Sequence, residues 1–548
     1  MSFELRRRDL FGSGLAGLAT AGLPRRSWAA ALDKGFTHNV ASGEPGPDSV
    51  LLWTRFVPAD GGSSGLAVDV AEDMAFTSIV RRAETEVEPA GDHCARVRVD
   101  GLVPGKWYFY RFRAGNGEAS PTGRTRTLPA GRLSRFTIAV FSCSNLPFGL
   151  FNAYAHAAER QDIDLVLHLG DYIYEYPRGT YPSANQTHAG RVIEPAHEIV
   201  SIADYHARYA SYRRDRDLAL LHQRFPMISI WDDHELANDA WRDGAENHQE
   251  GAEGSWADRK AAAKSAYRHW LPMSDDPYKA YAIGDLATLI RLDTRVEGRD
   301  KAPSLADAFR LDDDPMAALT KFRDGILQDP ARHLLGEAQE MWLAETLAAS
   351  TKAGTRWQVV AQQVLAGNTK TPASANAAWM GGDPPDYVRQ RFDAGVLAGK
   401  VGLPNNLDAW GGYPAARSRY LKAARAAGAN LVNLAGDSHN AWAFELAEAG
   451  TAAGVEFGTP GVTSPGYEAY LRAIDPAEVA RLMVETNPEL KWCDTSRRGY
   501  MTLSLTPDAA RCDWHLLETI AARSTAMLAA PTATVAHGSN RMSLLPPG

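Results

Sequence analysis

The sequence predicts a layered α+β domain preceded by a small all-β domain, on two observations. From Arg135 onward, short β-branched runs alternate with helical stretches, the texture of α/β or layered α+β architecture. Upstream, Phe36–Pro129 holds only short alternating strands such as Ser49–Phe56 and Trp107–Phe112. Turn residues separate them at Glu44-Pro45-Gly46-Pro47, Asp60-Gly61-Gly62 and Gly115-Asn116-Gly117. That pattern predicts an immunoglobulin- or fibronectin-like sandwich over residues 32–130 with no convincing chemistry of its own. The larger domain is expected over 131–530, followed by a C-terminal tail over 531–548.

At 548 residues the chain is too long for one ordinary domain. Its 45% hydrophobic and 23% charged residues are those of a soluble globular protein. Net charge is −8, and the first 31 residues hold five Arg against two acids, so the remainder carries −11. An acidic surface without a basic stripe excludes nucleic acid as a dedicated partner. An anionic substrate would then need strong local positive charge, and a bound metal is the obvious source.

Residues 1–31 read as a targeting segment. Arg6-Arg7-Arg8 precede Asp9-Leu10-Phe11 and the apolar run Leu10–Leu23, which is too short to span a bilayer. The run ends near Ala29-Ala30-Ala31, a small-residue cleavage site. Arg-Arg-Asp-Leu-Phe resembles a twin-arginine export signal, so the twin-arginine machinery is an expected partner and the periplasm or exterior the expected location. No other segment has the length or apolarity of a transmembrane anchor. Of four cysteines, Cys493 and Cys512 could pair in an oxidising compartment, and the lack of any CxxC argues against structural zinc.

Four predicted strands end in chemistry. Phe136–Phe141 runs into Ser142-Cys143-Ser144-Asn145. The apolar stretch from Asp164 is broken by Gly170, with Asp171 and Tyr174 just after. Phe225–Trp231 runs into Asp232-Asp233-His234-Glu235, followed by Asn238. Asn430–Leu434 runs into Gly436-Asp437-Ser438-His439. In an open α/β sheet, ligands bind outside the carboxyl ends of strands. Each cluster alone has a plain explanation: an Asp after a strand caps a turn, and cysteines are usually buried and inert. Four together are hard to attribute to chance. A bridging carboxylate can hold two cations that clamp a phosphoryl group and activate water. Thiolate and phenolate suit iron, while Asp and Asn oxygens suit calcium or magnesium. His168, on the buried strand before Asp171, reads as a core histidine. Helices are expected at Leu150–Arg160, Asp204–Leu221, Ser255–Trp270, Glu337–Ala349 and Tyr413–Ala427, and a Gly/Pro/Asn-rich loop over Gly367–Gly412.

Phe-Ser-Cys-Ser-Asn, Leu-Gly-Asp-Tyr-Ile-Tyr-Glu, Trp-Asp-Asp-His-Glu and Gly-Asp-Ser-His, in this order, resemble the PhoD-like alkaline phosphatases. These are metallophosphoesterases related to purple acid phosphatases, and the resemblance covers almost the whole chain. It implies a layered αββα metallophosphoesterase domain with ferric iron (Fe3+) and two calcium ions (Ca2+). It implies Asp171 as the bridging ligand, Cys143, Tyr174 and His439 on the iron side, and Asp233 and Asp437 on the second cation. His234 would contact the phosphate or protonate the leaving alkoxide, with Asp171 counted beside it in catalysis. Asn145, Asp232, Asn238 and Gln363 are further candidate ligands or their hydrogen-bonding supports.

The function expected is therefore that of an exported alkaline phosphatase acting on small phosphate monoesters, diesters included as substrates, by direct attack of a metal-held hydroxide. Three alternatives stand beside it. One is a phosphodiesterase or phospholipase D-like enzyme on the same site, acting on nucleic-acid or lipid diesters. Another is an exported metal-binding β-sandwich protein without catalysis. The third makes Cys143 a nucleophile with His234 as base.

Overall fold

The computed structural model describes residues 34–382 and 386–546, so the expected export segment at 1–31 lies outside the described residues. Two mixed sheets stack face to face. One is eleven-stranded and runs in the order Met542–Leu545, Thr532–Ala536, Ala509–Leu517, Gly499–Leu505, Phe136–Phe141, Leu165–His168, Pro226–Ser229, Gly35–Gly43, Ser49–Val57 and Cys94–Asp100, with Met527–Leu528 beside Ala509–Leu517. The other has seven strands: Lys279–Ile283, Ala287–Arg291, Trp357–Ala361, Leu431–Ala435, Thr451–Gly458, Ala441–Glu448 and Leu490–Asp494. The strands that lead into the site are parallel neighbours within each sheet.

The period of two builds the layers. Val359, Val432 and Leu434 face the core between the sheets, whereas Val360, Leu431 and Ala435 face the opposite side. There, Leu343 and Leu347 of helix Glu337–Lys352 and Tyr420 and Leu421 of helix Pro414–Ala426 cover them. Helices Asn152–Glu159 and Arg216–Arg224 bury Tyr154, Ala157, Leu218 and Leu221 against the first sheet. The order of layers is thus helix, sheet, sheet, helix. Both faces of the parallel strands are covered, which is why they read as continuous apolar runs.

The N-terminal β region is a two-layered sandwich, but one layer belongs to the main sheet. Gly35–Gly43 pairs in parallel with Pro226–Ser229, and Ser49–Val57 and Cys94–Asp100 follow it outward. Val40 and Leu52 point into the sandwich core, and their neighbours Ala41 and Trp53 into the main core. The second layer is the sheet of Ile79–Val87, Ser64–Ala71, Trp107–Ala114 and Gly123–Arg126.

Four expectations need correction. The helix expected over Asp204–Leu221 is two helices, Ile202–Arg213 and Arg216–Arg224. Asp215 accepts the backbone N–H groups of Asp217 and Leu218 and so caps the second. The stretch Gly367–Gly412 holds the helix Asp386–Lys400, whose Ala398 packs with Leu319 and Phe322 in a small separate core. The stretch expected as a C-terminal tail holds two strands. Thr532–Ala536 and Met542–Leu545 extend the large sheet, with Ala533 and Val535 buried in its core. Cys493 and Cys512 do not pair, because they sit in different sheets, and all four cysteines are free.

Candidate active site

The turns that carry the expected site residues share a backbone signature. Cys143, Asp171, Asp437 and His439 all have positive φ, at 59°, 55°, 58° and 62°. That region is uncommon for residues other than glycine, and such strain collects at functional sites. Two glycines allow the turns to nest. A Cβ on Gly170 would lie 2.4 Å from the Asp232 Cβ, and one on Gly436 would lie 2.3 Å from the Ser142 Oγ. Glu235 ties the turns together by accepting backbone N–H groups from Asp171, Tyr172 and Asp232, at 3.1 Å for the first and 2.7 Å for the last.

Three overlapping groups of side chains could hold a metal ion. They are Cys143, Asp171 and His439; Asp171, Asp233 and His234; and Asp232, Asp233 and Asp437, with ligand atoms in each group within 4.8 Å of one another. Asp171 is common to the first two, the arrangement a bridging carboxylate requires. Tyr174 joins it by donating to Asp171 Oδ2 at 3.0 Å, with Ser464 Oγ 2.6 Å from the phenol. His439 donates from Nδ1 to the Pro465 carbonyl at 2.9 Å, which leaves Nε2 unprotonated and 4.0 Å from Asp171 Oδ2. Orienting a ligating histidine through its other nitrogen is the usual device at metal sites. Burial holds His439 down at about 4, so the imidazole is neutral and fit to ligate.

The donors fit cations on their own chemistry. Asp171 Oδ1, Asp232 Oδ2 and Asn145 Oδ1 are buried without a hydrogen-bond partner, a costly state for oxygen acceptors that a cation relieves. Burial and neighbouring carboxylates raise Asp171 and Asp232 well above the ordinary carboxylate range and push Asp437 up to about 7. A bound cation reverses that penalty. Burial works the same way on Asp233, but Arg295 and His234 outweigh it and hold this acid low.

His234 donates from Nδ1 to Glu175 Oε2 at 2.7 Å, and the Tyr174 ring lies 4.3 Å away, centroid to centroid. Burial disfavours its charged form, yet Asp233, Glu175 and Asp171 together raise its pKa well above the usual value. Glu175 is itself held by Asn238 N–H and Asn247 Nδ2, each at 2.9 Å. Cys143 groups with His439 rather than with His234, and burial and Asp171 push its thiol well above the usual value. Neither feature suits a cysteine nucleophile with His234 as base.

Two expected candidates have their side chains engaged by other protein groups. Asn238 gives its side-chain amide to Glu246 at 3.0 Å. Gln363 accepts from Thr294 N–H and Oγ1 and donates to the Trp231 carbonyl at 2.7 Å. Asn145 donates to the Tyr181 carbonyl at 3.3 Å. His168 is the core histidine expected, hydrogen-bonded to Tyr154 at 2.9 Å. Sequence reasoning missed Glu175, Glu235, Arg295, Arg299, Asp408 and Ser464. Two of them carried a local signal, Glu235 inside Trp-Asp-Asp-His-Glu and Glu175 at the end of Leu-Gly-Asp-Tyr-Ile-Tyr-Glu.

The fold and its relatives together identify an enzyme of the phosphoric ester hydrolase class. Residues 138–514 match the model of the PhoD-like phosphatase family, and residues 22–129 that of the PhoD-like phosphatase N-terminal domain. The chain belongs to the PhoD-like phosphatase family. It is 34% identical over 506 residues to the alkaline phosphatase D of Bacillus subtilis, covering 88% of this chain and 77% of that protein. The solved structure of PhoD superposes with a TM-score of 0.76 at 29% identity, over 94% of this chain and 93% of that one. A purple acid phosphatase from yellow lupin seeds shares the fold, at a TM-score of 0.54 and 12% identity over 92% of this chain and 74% of that one. Membership in an enzyme family sets aside the reading of a non-catalytic binding protein. No helix among the described residues is long and apolar enough to cross a membrane.

Proposed function

We propose that the protein is an exported alkaline phosphatase, carried by the twin-arginine route to the periplasm or beyond, that hydrolyses phosphate monoesters and also accepts diesters. Cys143, Tyr174, His439 and Asp171 would hold ferric iron, and Asp171, Asp233 and Asp437, with Asp232 and Asn145 at hand, would hold calcium. The observation that carries this reading is the division of donors on either side of Asp171, with the thiol and phenol beside His439 on one side and, apart from the His234 imidazole, only carboxylates on the other. When bound, such cations neutralise phosphate charge and activate water for direct attack on phosphorus. His234, fixed by Glu175, has its Nε2 free to give a proton to the leaving oxygen. Asn238 and Gln363 act as supports, through Glu175 and Thr294. Seven strands in two layers, three of them shared with the main sheet, support an immunoglobulin- or fibronectin-like reading of residues 32–130.

Rates on matched aryl phosphate monoesters and diesters test the reading. Faster monoester turnover at alkaline pH supports it, whereas diester turnover alone makes the protein a phosphodiesterase on the same site.

A further inference from the structure

Arg295 lies outside the ligand groups and the proton path, yet it is the most heavily engaged cation in the site. It follows strand Ala287–Arg291 on a turn where Asp293 Oδ1 accepts the backbone N–H groups of Arg295 at 2.7 Å and Val296 at 2.9 Å. Thr294, beside it, donates to Gln363 through both N–H and Oγ1. The root of the side chain is therefore fixed before the guanidinium meets an acid.

That guanidinium is completely buried and must find its acceptors inside the protein. It finds three carboxylates on three separate segments. Nε donates to Asp232 Oδ1, Nη1 to Asp408 Oδ2, and Nη2 to Asp437 Oδ1 at 3.0 Å. Asp233 Oδ1 lies 3.8 Å from Nη2. Asp408 also accepts from Arg299 on its other oxygen, so it is occupied by two arginines. Asp232 differs, because its second oxygen is buried with no partner. Asp232 and Asp437 both belong to the all-carboxylate group with Asp233.

We propose that Arg295 is a positioning residue of the oxygen-rich cation site, which holds one oxygen each of Asp232 and Asp437 so that these acids ligate through the other alone. This rests on the proposed metal-dependent phosphatase reading. A hard cation such as calcium accepts roughly six to eight oxygens and readily takes carboxylates two oxygens at a time. Acids free to rotate would fill its coordination sphere. Acids pinned by a planar fork leave positions open for water and for a phosphate oxygen. Lysine carries the same charge without the fixed directions. The arginine also supplies one positive charge among four carboxylates, which weakens the site's hold on a divalent ion and keeps that ion exchangeable.

The test is calcium titration by calorimetry into chelator-treated protein, alongside kcat and KM on a phosphate monoester and a thermal melt. Arg295→Lys should bind calcium at least as tightly as the native enzyme while kcat falls about 10–100-fold, with KM moving much less. A brace with no say in coordination would instead lose calcium affinity and melting temperature together. That result overturns the proposal, and so does an Arg295→Lys enzyme with native kcat. Asp408→Asn loosens one side of the fork and should move kcat in the same direction by a smaller factor. Should Arg295→Lys fail to fold, an unchanged kcat in Asp408→Asn decides against the proposal. A native enzyme that binds no divalent cation overturns the underlying reading, which is a distinct result.

Discussion

The two sides of Asp171 are built on opposite electrostatic plans. On one, Cys143, Tyr174 and His439 gather around the carboxylate, and no arginine or lysine among the described residues hydrogen-bonds to these side chains. On the other, Asp232 and Asp437 are crossed by Arg295, and Arg299 reaches the same network through Asp408. The first side offers its thiol and phenol only the neutral hydroxyls of Ser142 and Ser464 and no cationic side chain, so it should hold an ion tightly. The second already carries part of the compensating charge, so it should hold an ion loosely. On the proposed reading, the placement of the arginines would separate a permanent site from an exchangeable one.

The largest expected effect comes from the residue common to both sides. Asp171→Asn should lose most activity and both classes of metal together. If Asp171 merely capped its turn, the change would cost only about 1 kcal/mol of stability. Elemental analysis beside an activity assay separates these outcomes, and retention of full activity would remove Asp171 as the bridge.

Next comes His234, which belongs to the chemistry more than to either ion. His234→Ala should retain its metals and lose roughly 10²–10⁴-fold in kcat. Metal lost in that variant would make His234 a ligand and shift the boundary between the two sides.

A smaller effect on the fold, but a diagnostic one, is expected at Tyr174. Ferric iron accepts charge from phenolate and thiolate, so the native protein should absorb in the visible. Tyr174→Phe keeps the ring against His234 and should shift or bleach that band with little change in melting temperature. An unchanged band would place Tyr174 outside the iron side.

The contrast between the two sides was only half legible in the sequence. Cys143, Asp171, Asp233, Asp437 and His439 all follow short apolar runs, and a strand that ends on a turn delivers its next residue to the sheet edge. Those contacts are set by local chain geometry, so the sequence carries them. Arg295 could not be found that way. Leu292-Asp293-Thr294-Arg295 also follows a strand, but an arginine there reads as a solvated end, and its partners are 63, 113 and 142 residues away. Glu175 closes the quoted Leu-Gly-Asp-Tyr-Ile-Tyr-Glu motif, but its role as the partner of His234, 59 residues on, is not visible there. The same limit applied to the fold. Short strands such as Ser49–Phe56 and Trp107–Phe112 are visible over residues 32–130, but not the parallel pairing of Gly35–Gly43 with Pro226–Ser229, because pairing partners leave no mark on either strand alone. Helix Asp386–Lys400 was hidden by the glycine- and proline-rich sequence around it.

The central claim, that one side of Asp171 holds its ion permanently and the other exchanges it, is tested most directly by a single chelation experiment. The visible band, calcium content and activity of the native enzyme would be followed together as a calcium chelator is added and then calcium restored. The account predicts that calcium and activity leave and return together while the band stays in place. A band that falls in step with calcium, or activity that survives its complete removal, would contradict it.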